Sequence, residues 1–148
     1  MIVLYEPALL DATVDLAKRM HLESRYKDLP FISAKFEALL KNPGTFCALV
    51  KSDQKFIGGI LGMVQESWFS STKIGFDLAL YMVPEYRGTT LAPIRLIKLF
   101  EDFCKQRGCS QISLSSSASI QDKSALRLYE KLGYINCGFT TYKNIKGP

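Results

Sequence analysis

Between Leu80 and Ala92 the chain reads Leu-Tyr-Met-Val-Pro-Glu-Tyr-Arg-Gly-Thr-Thr-Leu-Ala, and this stretch constrains the fold more than any other. An apolar run of strand character is stopped by Pro84, and a long helical pattern begins at Leu91. A strand must therefore turn sharply into the N-terminus of a helix. The first N–H groups of a helix lack intrahelical partners, and the helix dipole adds about half a positive charge at the same end. Such a corner can hold a phosphate. Gly88 would permit close approach and Arg87 would add charge. Spacing alone leaves a second reading open, because a strand ending in Pro and Gly before a helix is commonly just a connection.

The remaining pattern surrounds this corner. Ile2 to Tyr5 predicts a first strand, and Pro7 opens a helix to about Glu23, in which Leu9, Ala12, Thr13, Leu16, Ala17 and Met20 lay down one apolar stripe. Ser33 can cap a second helix that ends before Asn42-Pro43-Gly44. Thr45 to Lys51, Phe56 to Glu66 and Lys73 to Val83 predict an antiparallel meander. Leu91 to Gln106 is amphipathic, with Arg95, Lys98, Asp102 and Lys105 along one side, and Gly108 suits a left-handed end. Gln111 to Ser115 predicts a further strand, and Asp122 caps a last helix closed by Gly133. Tyr134 to Cys137 and Phe139 to Lys143 predict a final strand pair. With no repeat or linker, residues 1–148 read as a single α/β (α+β) domain.

Composition excludes several classes. Cys47, Cys104, Cys109 and Cys137 form no CxxC pair and His21 is the only histidine, so no metal site is expected. Most of the cysteines sit in apolar runs and read as small buried hydrophobes, which implies a reducing compartment. There is no basic leader and no run of ~20 apolar residues, so a cytoplasmic protein with no membrane partner is expected. The net charge of +5 favours anionic ligands, but it is dispersed along the chain. Nucleic acid is thus permitted as a partner without support from any basic stripe interleaved with aromatics.

Arg87-Gly88-Thr89-Thr90-Leu91-Ala92 resembles the pyrophosphate-binding motif of the GNAT superfamily of N-acyltransferases: Gln or Arg, two residues, Gly, one residue, then Gly or Ala. A second segment, Asp122, Ala125, Tyr129, Gly133 and Tyr134, is similar to the family's downstream Asn, Ala, Tyr, Gly and aromatic residue at those intervals. The resemblance covers nearly the whole chain. It implies a mixed, mostly antiparallel sheet of about six to seven strands flanked by about four helices, with acetyl-CoA as the acyl donor and a small-molecule or macromolecular amine as the acceptor. A monomer or homodimer is expected. Thr90 stands where the family has its middle glycine, which demands a backbone conformation acceptable to a β-branched residue or a shifted phosphate. Pro93 removes one N–H from the first turn. The Thr89 and Thr90 hydroxyls could donate to phosphate, or Thr90 could instead cap the helix.

The resemblance also implies roles. A main-chain N–H around Met82 would serve the oxyanion formed when an amine attacks the thioester, and one such donor is commonly worth ~3 kcal/mol. Met82 and Val83 would pair with the pantetheine arm as an added strand would. Tyr129 stands where the family often keeps its general acid; its other reading is a buried core tyrosine. Asp77, inside the apolar run Ile74 to Leu80, is the candidate base, direct or through water, and its other reading is a salt bridge or strand-edge charge. His21, Glu23 and Tyr26 fall where many members build the acceptor wall, or form a solvated helix end. Trp68-Phe69 at a loop tip could line the acceptor cleft, meet a second subunit or pack under the loop. The alternative to an enzyme is a non-catalytic binding module for a protein or nucleic acid, with the altered loop marking lost turnover. A cysteine hydrolase lacks a recognisable nucleophile turn.

Overall fold

A computed structural model describes residues 1–115, 122–138 and 140–145, without the Asp122 side chain. Nine labelled elements follow in order: β1 Ile2–Leu4, α1 Leu10–Glu23, α2 Ser33–Leu40, β2 Thr45–Ser52, β3 Lys55–Glu66, β4 Lys73–Met82, α3 Ala92–Gln106, β5 Gln111–Ser113 and α4 Asp122–Lys131. One sheet carries the strands in the order β1-β2-β3-β4-β5. The first four are antiparallel and β5 lies parallel to β4. The change of direction follows from connectivity. Short turns can join antiparallel neighbours, whereas a helical crossover such as α3 returns the chain parallel.

Packing follows from the apolar periods. Leu96, Ile97, Phe100 and Cys104 of α3 are fully buried against the sheet. Gly62 exists to admit them, since a Cβ there would lie 2.5 Å from Phe100 Cε1. The other sheet face is covered by α1 through Leu16 and Thr13 and by α2 through Leu40. α3 ends, as its pattern predicts, at a left-handed Gly108 with φ +77°. None of the described helices is long and apolar enough to cross a membrane.

Two expectations fail. Ser33 is no cap: Ile32 holds that position with extended backbone, and its carbonyl accepts the Lys35 and Phe36 amides, leaving Ser33 inside the first turn. The final strand pair does not form among the described residues, so the sheet has five strands there instead of six to seven, and Phe139 lies outside them. The cause is local. Asn136 Oδ1 takes the Gly138 amide at 3.2 Å, and the Tyr134 hydroxyl donates to Glu101 Oε2 at 2.7 Å, committing the segment to a turn against α3.

Candidate active site

The site begins as a fork. β5 pairs with β4 along Ile74, Gly75 and Phe76, and among the described residues no strand pairs with β4 on that side at Leu80 to Met82. The register against β3 slips between Leu61↔Ala79 and Gly62↔Asp77, making Leu78 the extra residue of a bulge. Bulges bend a strand and increase its twist, which carries β4 away from β5. Val83 N–H donates to Ile57 O at 2.8 Å. By the alternation of an antiparallel ladder, the Leu80 and Met82 amides therefore point to the open edge.

The corner after β4 supplies the anion-binding half. A 3₁₀ turn over Pro84–Tyr86 leads into Gly88 with φ +76°, a left-handed conformation in which a Cβ would meet no neighbour. Gly88 is needed for its backbone angle, not for space. Among the described residues, the Gly88, Thr90 and Leu91 amides donate to no protein group. Ala92 N–H is taken by Thr90 Oγ1 at 3.1 Å, and the Thr89 hydroxyl donates to Tyr86 O at 2.9 Å. Both hydroxyls thus serve the loop itself, and Thr90 sits on ordinary negative-φ backbone. The amides left open fit a diphosphate, on fewer donors than an all-glycine loop would offer.

Val83 departs from expectation. Its N–H faces β3 and its carbonyl accepts Tyr86 N–H at 3.0 Å, so it has no backbone group free for an added strand. Met82 keeps an outward N–H, while its carbonyl accepts Arg87 Nε at 2.8 Å. Arg87 Nη2 reaches Glu23 Oε1 at 2.8 Å, and Glu23 Oε2 accepts the Tyr81 hydroxyl. Burial pushes the Glu23 carboxyl upward, but the Tyr81 and Arg87 hydrogen bonds and the Arg87 and Arg19 charges outweigh it and hold it below its ordinary value. Burial, reinforced by Glu23, pushes Tyr81 up to about 12.

Asp77 and Tyr129 meet at Ser115. Asp77 Oδ1 accepts Ser115 N–H at 2.9 Å, and the Tyr129 hydroxyl donates to Ser115 O at 3.2 Å. Both side chains are buried, at 6% exposure each. Burial drives Asp77 up to about 6 against the lowering pull of Ser115. Burial and then the Asp77 charge drive Tyr129 up, so its hydroxyl stays protonated near neutrality. Ala125 is half-buried on the same helix and packs against the core.

The acceptor-wall candidates separate. Glu23 joins the fork, whereas the His21 ring packs edge-on to Phe31 at 5.6 Å. Tyr26 lies under the Arg25 guanidinium at 4.7 Å, and Tyr142 lies 5.5 Å from the same group. Trp68 is 94% exposed and meets the exposed Phe69 edge-to-face, so the pair does not pack under its loop. Burial pushes the Cys47 and Cys104 thiols up to about 12, which disqualifies both as ready nucleophiles. Among the described residues no group of three or more His, Cys, Asp or Glu could hold a metal ion. Sequence reasoning missed Tyr81 and Ser115. Tyr81 carried a usable signal, a phenol one residue from Met82 on the strand that ends at the corner.

The model of the Acetyltransferase (GNAT) family matches residues 9–134. The chain belongs to the GNAT acetyltransferase family. As a GNAT protein it is an acyltransferase, with the family's mixed and mostly antiparallel sheet and four helices. Among solved structures it is similar to an aminoglycoside acetyltransferase from an uncultured soil metagenomic sample, in complex with trehalose. That match has 18% identity and a TM-score of 0.77, covering 99% of this chain and 96% of that one. It is also similar to AAC(6')-Iy in complex with the bisubstrate analog CoA-S-monomethyl-acetylneamine, at 15% identity, TM-score 0.77, and 99% and 98% coverage. A third likeness is to the ribosomal-protein-alanine N-acetyltransferase of Brucella melitensis biovar Abortus 2308, at 15% identity, TM-score 0.73, and 98% of each chain. At such identities these GNAT structures share the fold. No curated protein matches the sequence.

Proposed function

We propose that this GNAT enzyme works as one domain to transfer an acetyl group from acetyl-CoA to a primary amine by direct attack. The observation that carries the reading is the adjacency of the open β4 edge at Leu80 and Met82 to the unpartnered amides of Gly88, Thr90 and Leu91. An extended amide-bearing arm suits the first and a diphosphate suits the second. Acetyl-CoA, when bound, supplies an activated acyl carbonyl.

The chain's residues then have three tasks. Met82 N–H, rigid on its strand, is the donor for negative charge developing on the carbonyl oxygen. Tyr129, kept neutral by burial, gives its proton to the departing sulfur. Asp77, ionised above about pH 6, takes the proton lost by the amine nitrogen through water in the fork. A C–N bond forms, a C–S bond breaks, and one proton passes overall from nitrogen to sulfur. Thiols without a disulfide partner suit a reducing cytoplasm.

The test joins binding to turnover. Acetyl-CoA at ~100 times its Kd should stabilise the fold by about 2.7 kcal/mol, and thiol release should require an added amine. No melting shift at millimolar acetyl-CoA would leave the non-catalytic binding module as the better reading.

A further inference from the structure

Glu23 is where α1 meets the end of β4. Ser24 sends both its N–H and its hydroxyl back to His21 O, at 3.2 and 2.8 Å, so the last turn of α1 is closed and its final residue is held in place. From there the Glu23 carboxylate accepts two bonds, the Tyr81 hydroxyl on Oε2 and Arg87 Nη2 on Oε1. Each oxygen has a donor and Arg87 balances the charge, which suits a strut and leaves no net charge to attract an ammonium.

Both bonds lead to Met82. Tyr81 precedes it in the chain and contributes the carbonyl of the peptide that carries the Met82 N–H. On the other side, Arg87 Nε donates to Met82 O at 2.8 Å, and the same guanidinium lies 5.4 Å from the centre of the Tyr81 ring. The strand end has a use for this support. β3 holds it along one edge, at Gly59↔Tyr81 and Gly58↔Met82, but among the described residues no strand holds the other edge there, and the bulge at Leu78 interrupts the ladder just before. A partly exposed ion pair adds little to global stability, so the value of this one is geometric.

We infer that Glu23 is a positioning residue for the transfer: through Tyr81 on one side and Arg87 on the other, one carboxylate fixes the peptide that presents the Met82 N–H to the acyl oxygen. This rests on the acyl-transfer reading of the fork and adds to it a residue that touches neither acyl donor nor amine. A preorganised donor is effective because nothing has to reorient as charge develops on the oxygen. A donor free to swing loses that advantage, and a misplacement of ~1 Å can cost about 10²-fold in rate.

Backbone ¹⁵N relaxation tests the inference independently of turnover. The Met82 amide should have an order parameter of about 0.85 in the unaltered protein, and Glu23→Ala should lower it toward about 0.6 while Leu49 and Ile60 in the core stay as they are. A Met82 amide as ordered in folded Glu23→Ala as in wild type would overturn the inference. With acetyl-CoA and hydroxylamine, a small amine that needs no shaped pocket, kcat read by thiol release should fall at least tenfold in Glu23→Ala, with the KM of each substrate within twofold of wild type. Glu23→Gln keeps one acceptor oxygen of the two and should restore part of that loss. A raised hydroxylamine KM at unchanged kcat would place Glu23 on the amine instead, which also overturns the inference. Should Glu23→Ala unfold, Tyr81→Phe cuts one arm, with at least threefold lower kcat at unchanged KM expected; full kcat and an ordered Met82 amide in that variant count against the role. Absence of thiol release from wild type strikes the transferase reading alone; an unmoved Met82 amide strikes only the positioning role.

Discussion

Arg87 Nη2 stands 2.8 Å from Glu23 Oε1, so the last residue of α1 and the first residue of the phosphate-loop motif form one ion pair. The same guanidinium holds Met82 O through Nε. Arg87→Ala should therefore loosen the loop and the end of α1 together. The pair is partly exposed, with 17% and 31% of the side chains accessible, so about 1 kcal/mol of stability is the expected loss. Acetyl-CoA affinity should fall roughly tenfold, which is about 1.4 kcal/mol. The Glu23 carboxyl is held low in the fold, so its contribution is present above its ordinary value and fades as pH drops through the folded one. Urea unfolding at neutral pH and near pH 3 should show the gap between variant and wild type narrowing in acid.

Asp77 behaves in the opposite sense. Its folded pKa is raised from 3.8 to about 6, so the neutral carboxyl is the form the fold prefers. The stability attached to that form is complete below the unfolded value and is lost as pH rises through about 6. Asp77→Asn keeps an acceptor for Ser115 and cannot ionise. It should melt higher than wild type at pH 7.5, by an amount on the order of 1–3 kcal/mol, and match it near pH 4. A gap that does not change with pH would show that Asp77 is not the titrating group. In turnover, the variant should lose the limb of the pH–rate profile near 6.

Tyr129→Phe removes one hydroxyl from a buried ring and leaves its packing in place. Proton donation by a positioned side chain is worth about 10²–10⁴ in rate. Turnover should fall by at least 10², with acetyl-CoA affinity unchanged within twofold. Wild-type turnover would reduce Tyr129 to the strut that holds Ser115 O.

Thr90→Gly tests the loop's departure from its family motif. Thr90 Oγ1 occupies the Ala92 amide, so its removal opens one more donor toward a phosphate. Acetyl-CoA should bind about threefold to tenfold tighter, in line with one added hydrogen bond to a charged group. Thermal stability should drop by roughly 1 kcal/mol through loss of the Ala92 N–H to Thr90 Oγ1 hydrogen bond and the added backbone freedom. Weaker binding would mean that Thr90 itself serves the anion.

Local pattern revealed what local chemistry decides. The meander, the amphipathic α3 and the corner at Pro84 to Gly88 follow from periods of 2 and 3.6 and from two residues with restricted or unusual backbone angles, and the structure contains all of them. Glu23, Tyr81 and Arg87 were not legible as a unit, because no periodicity relates residues 58 positions apart. Ser33 stands one place inside its helix, where a serine looks like a cap in sequence while Ile32 holds the cap position. Among the described residues the last strand pair is absent and Asn136 offers its side chain to Gly138, a choice that alternation of apolar residues does not reveal.

The bulge at Leu78 has a consequence for how this strand can change. Asp77 pairs with Gly62 and shares the α3 wall, whereas Ala79 and Tyr81 look to the opposite face. One amino acid is all that separates the Asp77 side of the strand from the side that Ala79 and Tyr81 share. Deleting it would leave Asp77 opposite Gly62 and Ala79 opposite Leu61 as consecutive residues, so each face would keep its side chains while the bend that parts β4 from β5 would be lost.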